Sequence, residues 1–251
     1  MTDALRLVRT HEEALEASGG SAFVRYDVPS PLEGDGFALG RALALPRRTR
    51  TRRLGLLVLG PPEDVDPLVG AILGRDLLDP EVRSVTVQRG LLDAVARHVR
   101  LQEGTEWEWL CTTTAPPEVA AESRLLRLTS GHQQEIEALL AAANPRSDAR
   151  PFHDPGQHWV GVRDDHGRLV ACGVRERSLA GHPMLSGITV DPAQRGLGLG
   201  LAVTAHLTRR AVEDDGVCTL GMYSHNAVAR RLYLGLGYGD VHEWSSRRFS
   251  D

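Results

Sequence analysis

Apolar positions along residues 123–250 recur with two different periods. Short alternating or continuous apolar runs at 123–128, 158–162, 169–175, 184–190, 218–223 and 241–249 predict strands. Helical spacing marks 131–143 through Ile136, Leu139 and Leu140, and 198–212 through Leu199, Val203, Leu207 and Ala211. A third helix is predicted over 227–236, ended by Gly237. The stretch "RDDHGR" (163–168) reads as a hairpin turn, and the Pro-, Asp- and Gly-rich 143–157 as a loop with one helical turn at most. The order is β-α-β-β-β-α-β-α-β. Three successive strands imply antiparallel pairing, and the following strand–helix–strand implies a parallel crossover, so the fold class is a mixed α/β sheet.

The first half carries fewer signals. "RRLGLLVLG" (52–60) reads as a strand and "EDVDPLVGAILG" (63–74) as a helix. "SVTVQRGLLDAVARHVR" (84–100) followed by "EWEWLCT" (106–112) echoes "GITVDPAQRGLGLGLAVTAHLTRR" followed by "CTLGMYS". Both read strand, Arg-Gly turn, helix, strand, either as a degenerate structural repeat or as two ordinary units of the same type. "TAPPEVAAES" (114–123) is the expected linker, dividing an N-terminal α/β domain (1–115) from a C-terminal one (123–251).

Composition narrows the function. The 251 residues are 41% hydrophobic, enough for a sizeable core, and carry a net charge of −4, which disfavours general nucleic-acid binding. All 29 basic residues are arginine, which excludes lysine nucleophiles, Schiff bases and a P-loop lysine. Cys111, Cys172 and Cys218 follow no metal or disulfide spacing, and His153 and His158, in "FHDPGQH", suit loop polarity better than zinc. A charged N-terminus and the lack of a long apolar run lead to the expectation of a cytoplasmic protein without membrane or metal.

The chemistry concentrates at "TVDPAQRGLGLGLAV" (189–203), where Gly196, Gly198 and Gly200 crowd a helix start behind Arg195. A helix start presents N–H groups without internal partners and a positive dipole end, and glycine lets a ligand approach them closely. The pattern predicts a phosphate cradle over 195–201. It is not a Walker loop, which requires lysine, and not a dinucleotide fingerprint, whose third glycine position is Leu201 here.

A second motif, "NAVARRLYLGLGY" (226–238), follows one strand later. Together, Arg195-x-x-Gly198-x-Gly200 and Asn226-x-x-Ala229-x-x-Leu232-Tyr233-x-x-Leu236-Gly237-Tyr238 resemble the GNAT superfamily of N-acetyltransferases over about 123–250. The resemblance implies a GNAT-like acyl-CoA N-acyltransferase fold and acetyl transfer from acetyl-CoA, the co-substrate, to a primary amine of a small molecule or peptide. It implies pyrophosphate binding by Arg195, Gly196, Leu197, Gly198, Leu199, Gly200 and Leu201. A bulged strand carrying Ile188, Thr189 and Val190 would pair with pantetheine, and the Ile188 N–H would meet the oxyanion. Asn226 and Ala229 would line the cofactor cleft, and Tyr233 would be the general acid. Many relatives place a basic glutamate early in the strand before the loop; here His182, Pro183 and Met184 stand there, leaving Glu176, His182, His225 or a water chain.

Tandem members of the superfamily, such as the glycine N-acyltransferase-like and mycothiol synthase-like branches, suggest that the N-terminal half is a degenerate GNAT-like domain. It would not bind CoA, and would shape the acceptor pocket or act as an interaction module. Arg146, Asp148, Asp154 and Glu243 are candidate acceptor contacts or plain solvated charges. The alternative function is a catalytically silent CoA-binding or protein-interaction module, and a third reading is a nucleotide-binding regulatory domain.

Overall fold

The computed structural model describes residues 4–49 and 52–250. It divides into two compact units. The first contains Met1–Trp109, Met222–Ala227 and Val241–Asp251; the second contains Leu110–Gly221 and Val228–Asp240. The expected boundary at 115–123 lies near the passage of the chain at Trp109, but segments 222–227 and 241–251 group with the first unit rather than with their sequence neighbours.

The first series of elements runs β1 (Arg6–Val8), α1 (His11–Ala17), α2 (Ala22–Asp27), β2 (Gly36–Leu39), β3 (Ala42–Arg48), β4 (Leu54–Leu59), α3 (Pro62–Gly74), β5 (Ser84–Gln88), α4 (Leu92–Ala96) and β6 (Leu101–Thr112). The second runs β7 (Leu126–Leu128), α5 (Gln133–Ala143), β8 (His158–Arg163), β9 (Leu169–Arg177), β10 (Pro183–Val190), α6 (Leu199–Asp215), β11 (Cys218–Tyr223), α7 (Ala227–Gly235) and β12 (Gly239–Phe249). The two series have the same order, except that the second lacks a helix matching α2. By that order β4 and α3 hold the places of β10 and α6. The Arg89-Gly90 turn holds the place of the turn before α7, one unit later than the sequence echo suggested.

Within the first unit the strand order is β1-β2-β3-β4-β5-β12. Pairing is antiparallel except for β4 with β5, and β12 closes on β5 from Trp244↔Gln88 to Arg248↔Ser84. Strand β4 is buried along its whole length, as a continuous apolar run in a parallel pair requires. Leu56, Val58, Val85 and Val87 meet Val65, Leu68, Val69 and Ile72 of α3 in one core.

In the second unit the order is β11-β10-β9-β8-β7. The β7–β8–β9–β10 meander is antiparallel, and β10 joins β11 in parallel across the α6 crossover. Ile136, Leu139 and Leu140 pack on Trp159, Cys172 and Val174. The other face is covered by α6, whose Val203 and Leu207 reach Gly173 so closely that a Cβ there would lie 2.6 Å from Val203. Within the expected linker, Glu122 accepts hydrogen bonds from Arg209 of α6.

Candidate active site

Strand β10 breaks its pairing in two places. Toward β9 the register shifts between Ser186 and Thr189, a bulge centred on Gly187 at φ +62°. A side chain there would meet Ala149 at 2.9 Å and Trp159 at 3.1 Å, so glycine serves both the left-handed backbone and the close packing. Toward β11 the parallel pairs are Met184↔Thr219 and Leu185↔Leu220, and the described pairing stops there. Residues 186–190 therefore run on with a main-chain edge that β11 does not pair.

The strand leads into a fixed turn. The Asp191 N–H donates to the Val170 carbonyl at 2.8 Å, and the Asp191 carboxylate accepts the Ala193 N–H at 2.9 Å. Arg168 pairs with the same carboxylate at 3.2 Å. Beyond it, Arg195, Gly196, Leu197 and Gly198 are all exposed, and the Leu197 side chain reaches into solvent. Gly196 (φ +81°) and Gly198 (φ +75°) are left-handed, with no atom within 4 Å of where their side chains would begin. Gly200 differs: its backbone is ordinary for a helix, but a Cβ would touch Val190 at 3.4 Å and Leu232 at 3.8 Å.

Gly198 is the N-cap of α6 and offers no side chain to the first turn. The first intrahelical bond runs from the Ala202 N–H to the Gly198 carbonyl at 3.0 Å. No acidic residue stands in that turn. The amide cluster at 199–201 thus keeps its dipole without an internal anion, the electrostatics of an anion site. Arg195 makes no ion pair among the described residues.

Thr189 behaves differently from Ile188 and Val190. Its side chain is buried, and its hydroxyl accepts Asn144 Nδ2–H at 3.2 Å, so only its main chain faces the strand edge. Asn226 immediately precedes α7, and its N–H donates to the Tyr223 carbonyl at 3.0 Å. Ala229 lies in the first turns of the same helix, half-buried.

Tyr233 is the buried residue of α7, 8% exposed, its ring 5.9 Å from that of Tyr238. Burial pushes its phenol up to about 12. Tyr238 is the anchored one: its hydroxyl lies 2.8 Å from that of Thr208 and donates to Cys218 Sγ at 3.1 Å. Burial likewise raises the Cys111, Cys172 and Cys218 thiols to about 12, which removes them as nucleophiles. Among the described residues no group of three His, Cys, Asp or Glu side chains converges as a metal site, and no helix is long and apolar enough to cross a membrane.

The base candidates separate by position. His225 is exposed and stacks on Tyr223, centroids 5.7 Å apart. His182 is half-buried just before β10. Glu176 is buried on β9 directly opposite Met184. The partners Ser186 and Gln157 of Glu176 were not singled out from sequence, because strand register and a loop contact bring them together.

A bulged strand with an open edge, followed by a glycine-rich uncapped helix start in a mixed sheet, defines the acyl-CoA acyltransferase class of fold. In sequence comparison, residues 124–238 match the acetyltransferase (GNAT) family. The chain is 30% identical over 119 residues to the mycothiol acetyltransferase of Rhodococcus jostii (strain RHA1), covering 43% of this chain and 39% of that protein. The match thus spans about two-fifths of that relative's length. Among solved structures, a GCN5-related N-acetyltransferase from Kribbella flavida aligns over 95% of both chains at 18% identity and TM-score 0.52. Another from Sphaerobacter thermophilus aligns over 94% of this chain and 88% of its own, at 19% identity and TM-score 0.52. These structures share the fold.

Proposed function

We propose that the chain is an acetyl-CoA-dependent N-acetyltransferase acting on a primary amine of a small molecule or peptide. The observation that carries this reading is the union of two features: the unpaired main-chain edge of β10 at 186–190, and the uncapped, acid-free start of α6 directly after it. The first suits pantetheine amides, which can add to a strand edge as a peptide does. The second suits a pyrophosphate, with Gly196, Gly198 and Gly200 admitting its oxygens to backbone N–H groups. Arg195 adds a solvent-exposed positive charge beside it. Ile188, at the bulge, supplies the N–H for the oxyanion.

Tyr233 donates the proton to the leaving sulfur. Its pKa of about 12 keeps the phenol protonated at neutral pH. A thiolate formed beside it is desolvated too, so its own proton affinity rises and the transfer does not face the full gap between the two groups in water.

The first series of elements is a degenerate domain of the same kind that does not bind CoA. At the start of α3, Pro61 and Pro62 offer no N–H, and Glu63 and Asp64 occupy the first turn. Those carboxylates already satisfy the positive end of the helix.

The test is thermal unfolding with acetyl-CoA, CoA or NAD, for wild type and Gly198→Glu. A ligand at 100 times its Kd adds about 2.7 kcal/mol to the native state, or on the order of 5–10 °C for a chain of this size. Stabilisation by both CoA forms and not by NAD, lost in the variant, is the expected result. A folded protein indifferent to CoA overturns the reading and leaves the fold without the chemistry.

A further inference from the structure

The sheet supplies a carboxylate where β10 has none. Met184, one of the β10 positions where many relatives carry glutamate, pairs directly with Glu176 of β9. Directly opposed residues of antiparallel strands send their side chains to the same face, with Cβ atoms about 5 Å apart. The neighbours Arg175 and Arg177 alternate to the other face, where they pair with Asp214 and Asp215 at 2.6 Å each. Glu176 is only 7% exposed.

Its carboxylate joins the 144–157 loop to strand β10. Oε1 accepts the Ser186 hydroxyl at 2.6 Å, and Oε2 accepts Gln157 Nε2–H at 2.8 Å. Ser186 is the last regularly paired residue before the bulge and is half-buried. Gln157 ends the 144–157 loop, and its Oε1 accepts both the Phe152 N–H at 2.6 Å and Trp159 Nε1–H at 3.1 Å. Two donors on that oxygen fix the carboxamide, so its nitrogen must face Glu176. A continuous line of hydrogen bonds thus runs from the loop through Gln157 and Glu176 to Ser186 at the bulge.

We propose that Glu176 accepts the proton of the attacking amine, and that it does so through Ser186 Oγ. This assignment rests on the acetyl-transfer reading above. An ammonium gives its proton to Ser186 Oγ while the Ser186 hydroxyl proton passes to Glu176 Oε1, leaving a neutral amine and a protonated carboxyl. The amine nitrogen then bonds to the thioester carbonyl carbon, and the carbon–sulfur bond breaks. Tyr233 protonates the sulfur, and the proton released by the new amide nitrogen restores the phenol. Glu176 returns its proton to solvent through Ser186.

The experiment compares wild type, Glu176→Gln, Ser186→Ala and the double variant of these two in release of CoA thiol from acetyl-CoA, at pH 6 to 10. The acceptors are an α-amino acid, a polyamine and a peptide with a free N-terminus, and the kinetics follow whichever wild type turns over fastest. Acetyl-CoA calorimetry on each variant confirms the folded site. The expected result is a fall in kcat/KM of on the order of 100-fold at pH 7 in either variant, with little further loss in the double variant. The deficit shrinks as pH rises, because the amine then arrives already neutral. A merely structural Glu176 gives a deficit that does not change with pH, and that result overturns the assignment, as does full activity in Glu176→Gln. A wild type that binds acetyl-CoA but acetylates none of the three amines, or does not bind it, overturns the underlying reading as well.

Discussion

Asn144 Nδ2 donates to Thr189 Oγ1 across 3.2 Å, fastening the end of α5 to β10 just past its bulge. The Thr189 side chain therefore serves the interior, although its main chain lies on the strand edge offered to ligand. Replacing it with valine keeps the shape and leaves the half-buried Asn144 amide without this acceptor. Thr189→Val is expected to lower unfolding free energy by about 1 kcal/mol in urea titration. Its acetyl-CoA affinity by calorimetry should stay within about threefold of wild type, since 1.4 kcal/mol would be needed for a factor of ten.

Gly198 and Gly200 make opposite predictions. At Gly198 an alanine has space but must adopt φ +75°, at a penalty of about 1–2 kcal/mol. Gly198→Ala should reduce both stability and acetyl-CoA affinity. At Gly200 the backbone is helical and the new methyl meets Val190 and Leu232 at ordinary contact distance. Gly200→Ala should therefore gain about 0.5–1 kcal/mol of stability from lost chain entropy, and it should weaken acetyl-CoA binding if, as proposed, the ligand's phosphates approach this backbone. Unchanged affinity in the stabilised variant means that no ligand comes close to this backbone.

The two motifs around these glycines were legible because punctuation and periodicity coincide there. Gly198 caps α6, Gly216 ends it at φ +75°, and the i, i+4 apolar row between them fixes its buried face. The elements before residue 52 gave no comparable signal. Strand β1 has three residues, β2 has four, and β3 ends in Pro-Arg-Arg, too short or too mixed for a period to show. Helix α1 did carry a readable mark, the Thr10–Glu13 capping box. The echo at 84–112 matches Arg89-Gly90 to Arg195-Gly196, whereas by element order β4–α3 stands where β10–α6 does, and it lacks the glycine-rich turn. Glu176 could be named from sequence, but its seat opposite Met184 depends on strand register, which no local pattern encodes.

Tyr233→Phe separates chemistry from binding. Loss of the hydroxyl should lower kcat by about 10²–10⁴ and leave acetyl-CoA affinity nearly unchanged in calorimetry. The same group predicts alkaline behaviour. Burial raises its folded pKa from 10 to about 12, so above pH 10 the unfolded chain loses this proton more readily than the folded one. Its contribution to stability is complete below pH 10 and is lost between 10 and 12, by on the order of 3 kcal/mol. Denaturant midpoints against pH should fall less steeply in that window for Tyr233→Phe than for wild type. Equal slopes would mean that the phenol ionises as easily in the folded protein as in water.

The two helix starts predict the binding stoichiometry. At α6, glycines leave the first-turn amides exposed behind Arg195. At α3 the corresponding donors are absent or used: the Gly60 N–H goes to Gln88 Oε1 at 2.8 Å, two prolines follow, and Asp64 Oδ2 accepts the Arg41 N–H at 2.9 Å. Arg41 also pairs with Glu63 at 2.8 Å, so the cation nearest this turn is already engaged with carboxylates. A pyrophosphate approaching α3 would meet the Glu63 and Asp64 carboxylates, and the Asp64 and Val65 N–H groups there already donate to the Pro61 carbonyl. Calorimetric titration with CoA should return one site per chain, and Gly198→Glu should abolish all of it. A residual site in that variant, or two sites in wild type, would show that the first series keeps a phosphate cradle of another design. Substituting Glu63 and Asp64 together should create no second site, because proline still denies the turn its N–H groups.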